Sequence, residues 1–147
     1  MGRGRGGYTE KQQSYKDSGG FKVIDKGTIW VAERYIENGY ESVFRQRHDP
    51  ETSCDLTIKT SDDTKAIKNI EVKQITSQNP SKIATHIKEA NKQIAAGDTI
   101  AIYLPNKTST PESIAFVEKG IEEAHRKNYI TGPVEVWFSD KIKKTYY

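Results

Sequence analysis

The segment Thr99–Leu104 constrains the fold most, because it is a continuous apolar run. Successive side chains of a strand point to opposite faces of a sheet, so an unbroken run predicts a strand that is buried on both faces. Amphipathic helical patterns precede and follow it. The first opens at Asn79-Pro80-Ser81 and is expected to end at Gly97, and the second opens at Thr110-Pro111-Glu112. Each is long enough for a parallel crossover. We therefore predict an α/β fold, with a mixed central β-sheet flanked by helices on both faces.

The segments around this run predict one more helix and four more strands. Residues 28–38 carry apolar side chains at helical spacing, and Asn38-Gly39 is a typical helix end. Short apolar segments between turn-forming residues predict the strands. Their expected ranges are 40–47, 54–60, 66–75 and 134–138. The predicted order of elements is α-β-β-β-α-β-α-β.

The length of 147 residues fits one domain. Residues 1–20 are rich in glycine and polar side chains without periodicity, so we expect a flexible lead-in or linker there and a folded domain over residues 21–147. The single cysteine, Cys54, excludes an internal disulfide. No apolar run reaches the roughly 18 residues that span a membrane, and no signal-peptide pattern opens the segment, so we expect no membrane insertion by it.

Overall charge does not identify a partner. The chain has 23 basic and 20 acidic residues, and its net charge of +3 is too small to indicate nucleic-acid binding. Basic side chains do cluster at three places, either as ordinary solvated surface or as phosphate contacts. The clusters are Arg3 with Arg5, then Arg45, Arg47 and His48, and finally Lys141, Lys143 and Lys144.

The stretch Ile70-Glu71-Val72-Lys73 is the most informative for chemistry. On a strand, Glu71 and Lys73 point to one face while Ile70 and Val72 point to the other, into apolar packing. An acid and a base side by side on a hydrophobic strand cost desolvation energy unless the charges are paired or bind a metal. The pattern therefore fits either an exposed salt-bridged face or a catalytic pair.

Asp55 favours the catalytic interpretation. The predicted hairpin over residues 54–75 brings it beside Glu71 and Lys73, because neighbouring strands lie roughly 5 Å apart. Two carboxylates form a hard-oxygen site suited to a divalent cation. Mg²⁺ is the expected ion, with Mn²⁺ or Zn²⁺ as alternatives. Lys73 would stabilise negative charge on a phosphoryl group or hold the attacking water.

Glu33 interrupts the apolar face of the first predicted helix, which is made by Ile29, Ala32 and Ile36. A carboxylate at that position is either a surface residue or a third acid that points at the metal site. We therefore include Glu33 among the predicted metal ligands and catalytic residues.

These motifs together resemble the PD-(D/E)XK, or restriction-endonuclease-like, nucleases. Within them the pattern is similar to the C-terminal toxin domains of bacterial contact-dependent growth inhibition and related polymorphic toxin systems. The resemblance covers roughly residues 27–138 and rests on the order and spacing of short motifs. The matching residues are Glu33, Gly39-Tyr40, Asp55-Leu56, Glu71-Val72-Lys73 and Ala90-Asn91-Lys92-Gln93. Cys54 departs from the pattern, since proline precedes the aspartate in the family.

The resemblance implies a restriction-endonuclease-like core and a metal-dependent endonuclease that cleaves DNA or tRNA. It implies that Asp55, Glu71 and Glu33 bind the metal, that Lys73 is the catalytic lysine, and that Gln93 lies near the site. It further implies an interbacterial toxin that is delivered by a secreted effector, acts in the cytoplasm of the target cell, and is neutralised by a cognate immunity protein.

Two other functions fit the same residues. The basic clusters and the unusual Cys54 also suit a catalytically inactive nucleic-acid-binding module with the nuclease fold, which would bind in a salt-dependent manner without cleavage. The other alternative is a non-catalytic interaction domain, in which the acidic side chains are merely exposed.

The three histidines, which are His48, His86 and His125, lack the spacing of a metal site and suit the protein surface.

Overall fold

The computed structural model describes residues 25–44, 54–60 and 66–147. The predicted lead-in over residues 1–20 and the two basic clusters that contain Arg3 and Arg45 lie outside the described residues.

The first helix, α1, spans Lys26–Glu37. It begins two residues earlier than expected because Asp25 caps it, with its carboxylate accepting a hydrogen bond from the Thr28 N–H at 2.8 Å.

Six strands form one sheet, in which each strand lies beside its neighbour in sequence. The pairs at the two ends of the sheet are antiparallel, whereas β3 pairs with β4, and β4 with β5, in parallel. The strands are β1 Tyr40–Phe44, β2 Leu56–Thr60, β3 Ala66–Gln74, β4 Thr99–Leu104, β5 Val134–Phe138 and β6 Lys143–Tyr146. The predicted mixed sheet is confirmed. Strand β6 was not predicted, because it is a polar edge strand without an apolar face.

Two further helices complete the described fold. Helix α2 spans Ser81–Ala90 and continues as a 3₁₀ turn over Asn91–Gln93, so the predicted helix up to Gly97 ends earlier than expected. Helix α3 spans Pro111–Arg126. It packs closely on the start of α2, since a Cβ atom added at Gly120 would lie 2.6 Å from the Pro80 carbonyl oxygen. Glycine is therefore required at this helix crossing.

The sheet has an apolar layer on each face, so the expected placement of helices on both sides is confirmed. One layer joins α1 to Leu56, Ile70 and Val72. The other joins α2 and α3 to Ile75 and to the alternate residues of β4 and β5. Cys54 is buried in this second layer. None of the described helices is both long and apolar enough to cross a membrane.

Candidate active site

Glu71 and Lys73 lie in the second half of β3 and face the layer of α2 and α3. This orientation follows from the strand alternation, because Ile70 and Val72 pack in the layer of α1 and Ile75 packs in the other. Glu71 is buried, with 1% of its surface exposed. The Lys73 Nζ lies 3.8 Å from Glu71 Oε2. Glu71 and Lys73 therefore lie on one face of the strand, as the sequence predicted.

Asp55 lies immediately before β2, at the point where the ladder between β2 and β3 ends. Its own N–H still donates to the Ile70 carbonyl at 2.9 Å. Its carboxylate Oδ2 accepts a hydrogen bond from the Val72 N–H, also at 2.9 Å. The carboxylate therefore takes the place that a backbone carbonyl would occupy if the ladder continued. This bond fixes Asp55 beside the backbone of Val72, which lies between Glu71 and Lys73.

Gln93 comes from the 3₁₀ turn that follows α2. Its Oε1 atom is buried and has no hydrogen-bond partner among the residues that the structure describes. Buried polar atoms in native proteins are almost always paired with protein or water, so such an atom marks a place that a water molecule or a further ligand can occupy. Amide oxygens are among the ligands that hard divalent cations accept.

These four side chains line one open cleft of about 540 Å³. Its other described lining residues are Asp25, Lys26, Val72 and Gln74. Among its charged groups, three are carboxylates and two are ammonium groups. A mixed lining of this kind can hold a cation beside an anionic substrate, because each charge sign has a partner within the same cleft.

Asp25 and Lys26 were not predicted as site residues. They reach the cleft because the first turn of α1 lies against the carboxyl end of β3, where a Cβ added at Gly27 would be 3.1 Å from Gln74 Oε1. The available sequence signal was the aspartate three residues before Thr28, which is typical of a helix N-cap. That signal sets the start of the helix, but it does not show which other element the helix end meets.

Glu33 is not among the residues that line the cleft. It lies on α1, which covers the opposite face of the sheet from Glu71 and Lys73. Its side chain is 46% exposed, and its Oε1 lies 3.6 Å from Arg34 Nη2. The acids that the structure brings together are thus Asp55 and Glu71, with Asp25 as the contribution of α1. A role for Glu33 at the metal site stays a prediction.

The donor set can be compared with the needs of the predicted cation. Within the three described ranges, no group of three or more histidine, cysteine, aspartate or glutamate side chains could hold a metal ion. Mg²⁺ does not need such a cage, since it usually keeps several waters and binds through one or two carboxylates. Asp55, Glu71 and the buried Gln93 Oε1 therefore fit Mg²⁺ better than a metal that requires four protein ligands, such as structural Zn²⁺.

His86, on α2, is a further group near this face. Burial lowers the pKa of its imidazole below the ordinary value, Glu89 opposes that shift, and the charges of Lys73 and Lys82 add to it. The side chain is consequently neutral at pH 7 and lies within the electrostatic influence of the cleft lysine. The sequence alone predicted His86 at the surface. Neither the spacing nor the composition of a helix shows which charged groups of other elements its side chains approach.

The cleft therefore combines two anchored carboxylates, a lysine and an amide oxygen in an arrangement that can bind a divalent cation and a phosphoryl group. Comparisons of the chain with protein-family models, with curated proteins and with solved structures gave no significant match.

Proposed function

We propose that this protein is a metal-dependent nuclease that hydrolyses phosphodiester bonds in DNA or tRNA. The observation that carries the proposal is the convergence of Asp55, Glu71, Lys73 and Gln93 on one cleft from three separate segments of the chain. The sequence resemblance to the PD-(D/E)XK nucleases named these four residues and also Glu33, which does not line the cleft. The order of elements supports that resemblance, since one helix, three antiparallel strands, a crossover helix and a parallel strand follow one another.

In this proposal each side chain has a separate task. Asp55 and Glu71 would hold a divalent cation, and when bound it would supply an acidified water and a positive charge for the phosphate. Lys73 lies 3.8 Å from Glu71 Oε2 and can move to a phosphoryl oxygen, where its charge stabilises the negative charge that develops during attack. Gln93 Oε1 accepts a hydrogen bond from a cation-bound water or binds the cation itself.

A cleavage assay tests the proposal. The purified protein is incubated with DNA and with tRNA, in Mg²⁺, Mn²⁺ or Zn²⁺ and in EDTA. We expect cleavage of one substrate class that requires a divalent cation. Lys73→Ala should lower the rate by about 10²–10³-fold, the loss typical of removing one charge-stabilising group. Glu71→Gln should abolish cation-dependent cleavage, since it removes one of two carboxylate ligands.

Matched controls come from exposed residues of α3. Lys119→Ala and Glu122→Gln make the same chemical changes away from the cleft and should leave the rate unchanged. Glu33→Gln measures the contribution of the helix acid directly. Absence of cleavage under every metal, or equal losses in the cleft and control variants, would refute the proposed enzyme. Salt-dependent binding without cleavage would then identify an inactive nucleic-acid-binding module.

We also propose, from the sequence resemblance alone, that this nuclease is the toxic domain of an interbacterial competition system. It would then act in the cytoplasm of a target cell, and a cognate immunity protein would neutralise it. The expected outcome of a pull-down with the product of the neighbouring downstream gene is a stable complex that suppresses cleavage. A neighbour that neither binds nor inhibits would remove the toxin assignment and leave the nuclease assignment intact.

A further inference from the structure

A second polar cluster lies on the other face of the sheet, around Glu135 of β5. Glu135 is 1% exposed although its strand is otherwise apolar. Its Oε2 accepts hydrogen bonds from the Tyr35 hydroxyl at 2.5 Å and from Lys68 Nζ at 2.8 Å. Its Oε1 accepts one from Trp137 Nε1 at 3.3 Å. The carboxylate is therefore neutralised by Lys68 and satisfied at both oxygens.

Lys143 supplies a second ammonium group to the same place. Its Nζ lies 3.9 Å from the Glu135 Oε2 that Lys68 already contacts. Two positive charges thus converge on one negative charge, so this wall carries an excess of one positive charge. The side chains of Lys68 and Lys143 are 29% and 36% exposed, so both ammonium groups keep access to solvent.

Aromatic rings hold the two ammonium groups in position. Lys68 Nζ lies 5.2 Å and Lys143 Nζ 5.6 Å from the centre of the Tyr35 ring. Lys143 Nζ also lies 5.4 Å from the centre of the Trp137 ring. Cation–π contacts at these distances favour the charged form and limit its movement. The two lysines are therefore preorganised, which lowers the entropic cost of binding an anion.

Lys68 and Lys143 line a cavity of about 510 Å³ that lies at the amino ends of the parallel strands. Asn69, Thr145 and Tyr147 add polar side chains to its lining. Asp98 is the second carboxylate of the lining, and its Oδ2 accepts a hydrogen bond from the Ala95 N–H at 3.1 Å in the turn before β4. The cavity thus offers two charged donors on one wall, and its lining also holds neutral hydrogen-bonding groups and the Asp98 carboxylate.

We propose that this cavity is a phosphate-binding site in which Lys68 and Lys143 bind the oxygens of one phosphate group. Glu135 is the positioning residue, because it holds both ammonium groups at a single point. Lysine binds phosphate as a point charge, and the one positive charge that remains in excess over Glu135 attracts the phosphate oxygens. Phosphate binding at this cavity requires no cleavage, so the site does not depend on the proposed nuclease activity.

Two sources could supply the phosphate: a small phosphorylated molecule or the backbone of a nucleic acid. Lys68 and Lys73 lie five positions apart on β3, which corresponds to roughly 16 Å. The two lysines point to opposite faces of the sheet, so binding at this cavity does not require contact with the cleft. The shared chemistry is the phosphate group, and the choice of probe distinguishes the two sources.

Binding can be measured by calorimetry in EDTA, so that metal-dependent cleavage does not interfere. The probes are inorganic phosphate, a nucleoside monophosphate and a short single-stranded oligonucleotide. We expect saturable binding of at least one probe, which weakens as salt concentration rises. Lys143→Ala should weaken it by about tenfold, the loss typical of one charge-assisted hydrogen bond, and Lys143→Arg should retain most of the affinity.

The adjacent lysine of β6 provides the control. Lys144 points to the opposite face of the sheet, so Lys144→Ala removes an equal charge from the same strand without reaching the cavity. Binding of small phosphates alone or of the oligonucleotide as well would support the site and identify its source. No saturable binding of any probe, or equal losses in Lys143→Ala and Lys144→Ala, would overturn it. Binding of inorganic phosphate in EDTA does not involve cleavage, so a failed nuclease assay leaves the result interpretable.

Discussion

Glu71 and Glu135 occupy similar places on parallel strands of one sheet, yet their surroundings differ. Each is 1% exposed and each faces lysine. Glu135 is 2.8 Å from Lys68 and also binds Tyr35 and Trp137, whereas Glu71 lies 3.8 Å from Lys73. The first lysine makes a hydrogen bond with its partner, while the second is beyond hydrogen-bonding distance.

The difference concerns the lysine partner of each carboxylate. Lys68 makes a direct hydrogen bond to Glu135, and such tight contacts stabilise the folded chain by satisfying a buried charge. Lys73 makes a longer ion pair with Glu71, which contributes less to folding and lets its ammonium group turn towards a phosphate in the cleft. We therefore expect substitutions at the two glutamates to affect stability and activity in opposite proportions.

The largest expected contrast comes from the same substitution at both positions. Glu135→Gln should lower the free energy of unfolding by about 2–3 kcal/mol, because it breaks a buried ion pair and leaves the Lys68 charge without its carboxylate. Glu71→Gln should lower it by less, because the ion pair that this substitution removes is longer, at 3.8 Å rather than 2.8 Å.

Urea denaturation of both variants measures this contrast, with the control variant Glu122→Gln as the baseline. Equal destabilisation at the two positions would show that the two ion pairs contribute equally to the free energy of unfolding. The distinction between a structural and a functional glutamate would then be lost.

A smaller effect is expected from Tyr35→Phe, which removes one hydrogen bond to Glu135 and should cost about 1–2 kcal/mol at neutral pH. Burial and the nearby Glu135 raise the pKa of Tyr35 well above its ordinary value of 10.0. The unfolded chain releases this proton near pH 10 while the folded chain keeps it, so the stability it contributes is present below pH 10 and is lost as the pH rises further.

The same variant should therefore show a shallower loss of stability above pH 10, as measured by urea denaturation at a series of pH values. Tyr146→Phe is the control, since burial and Glu118 raise the pKa of Tyr146 to about 12. Its effect should be confined to the alkaline range, because its hydroxyl bonds an exposed carboxylate at 3.3 Å. An alkaline profile that is unchanged by Tyr35→Phe would contradict the assigned environment of Tyr35.

Most elements of the fold were predictable because their side chains repeat with the period of the element. The buried run Thr99–Leu104 and the hairpin over residues 54–75 show such periods, and both lie where they were expected. Strand β6 has no apolar face, since its stability comes from pairing with β5. The end of α2 at Ala90 was also missed, because the pattern did not indicate the 3₁₀ turn that carries Gln93.

The candidate site was predictable where it depended on one strand and its hairpin partner, as for Asp55, Glu71 and Lys73. Strand alternation and pairing are local properties that the sequence encodes directly. The placement of Asp25 and Glu33 depends on how α1 crosses the sheet, which no local pattern contains. The Glu135 cluster was missed for a related reason. Val134, Val136 and Phe138 predicted one buried face, but α1 also covers the other, where Glu135 and Trp137 lie.

The bond between the Val72 N–H and the Asp55 carboxylate makes strand pairing and the geometry of the cleft a single constraint. A slip of one residue between β2 and β3 would turn Glu71 and Lys73 towards α1 and place Ile70 and Val72 in the cleft. Such a hairpin would lose its apolar packing and the polar lining of the cleft together. Misfolded molecules would therefore lack both stability and the side chains on which the proposed activity depends.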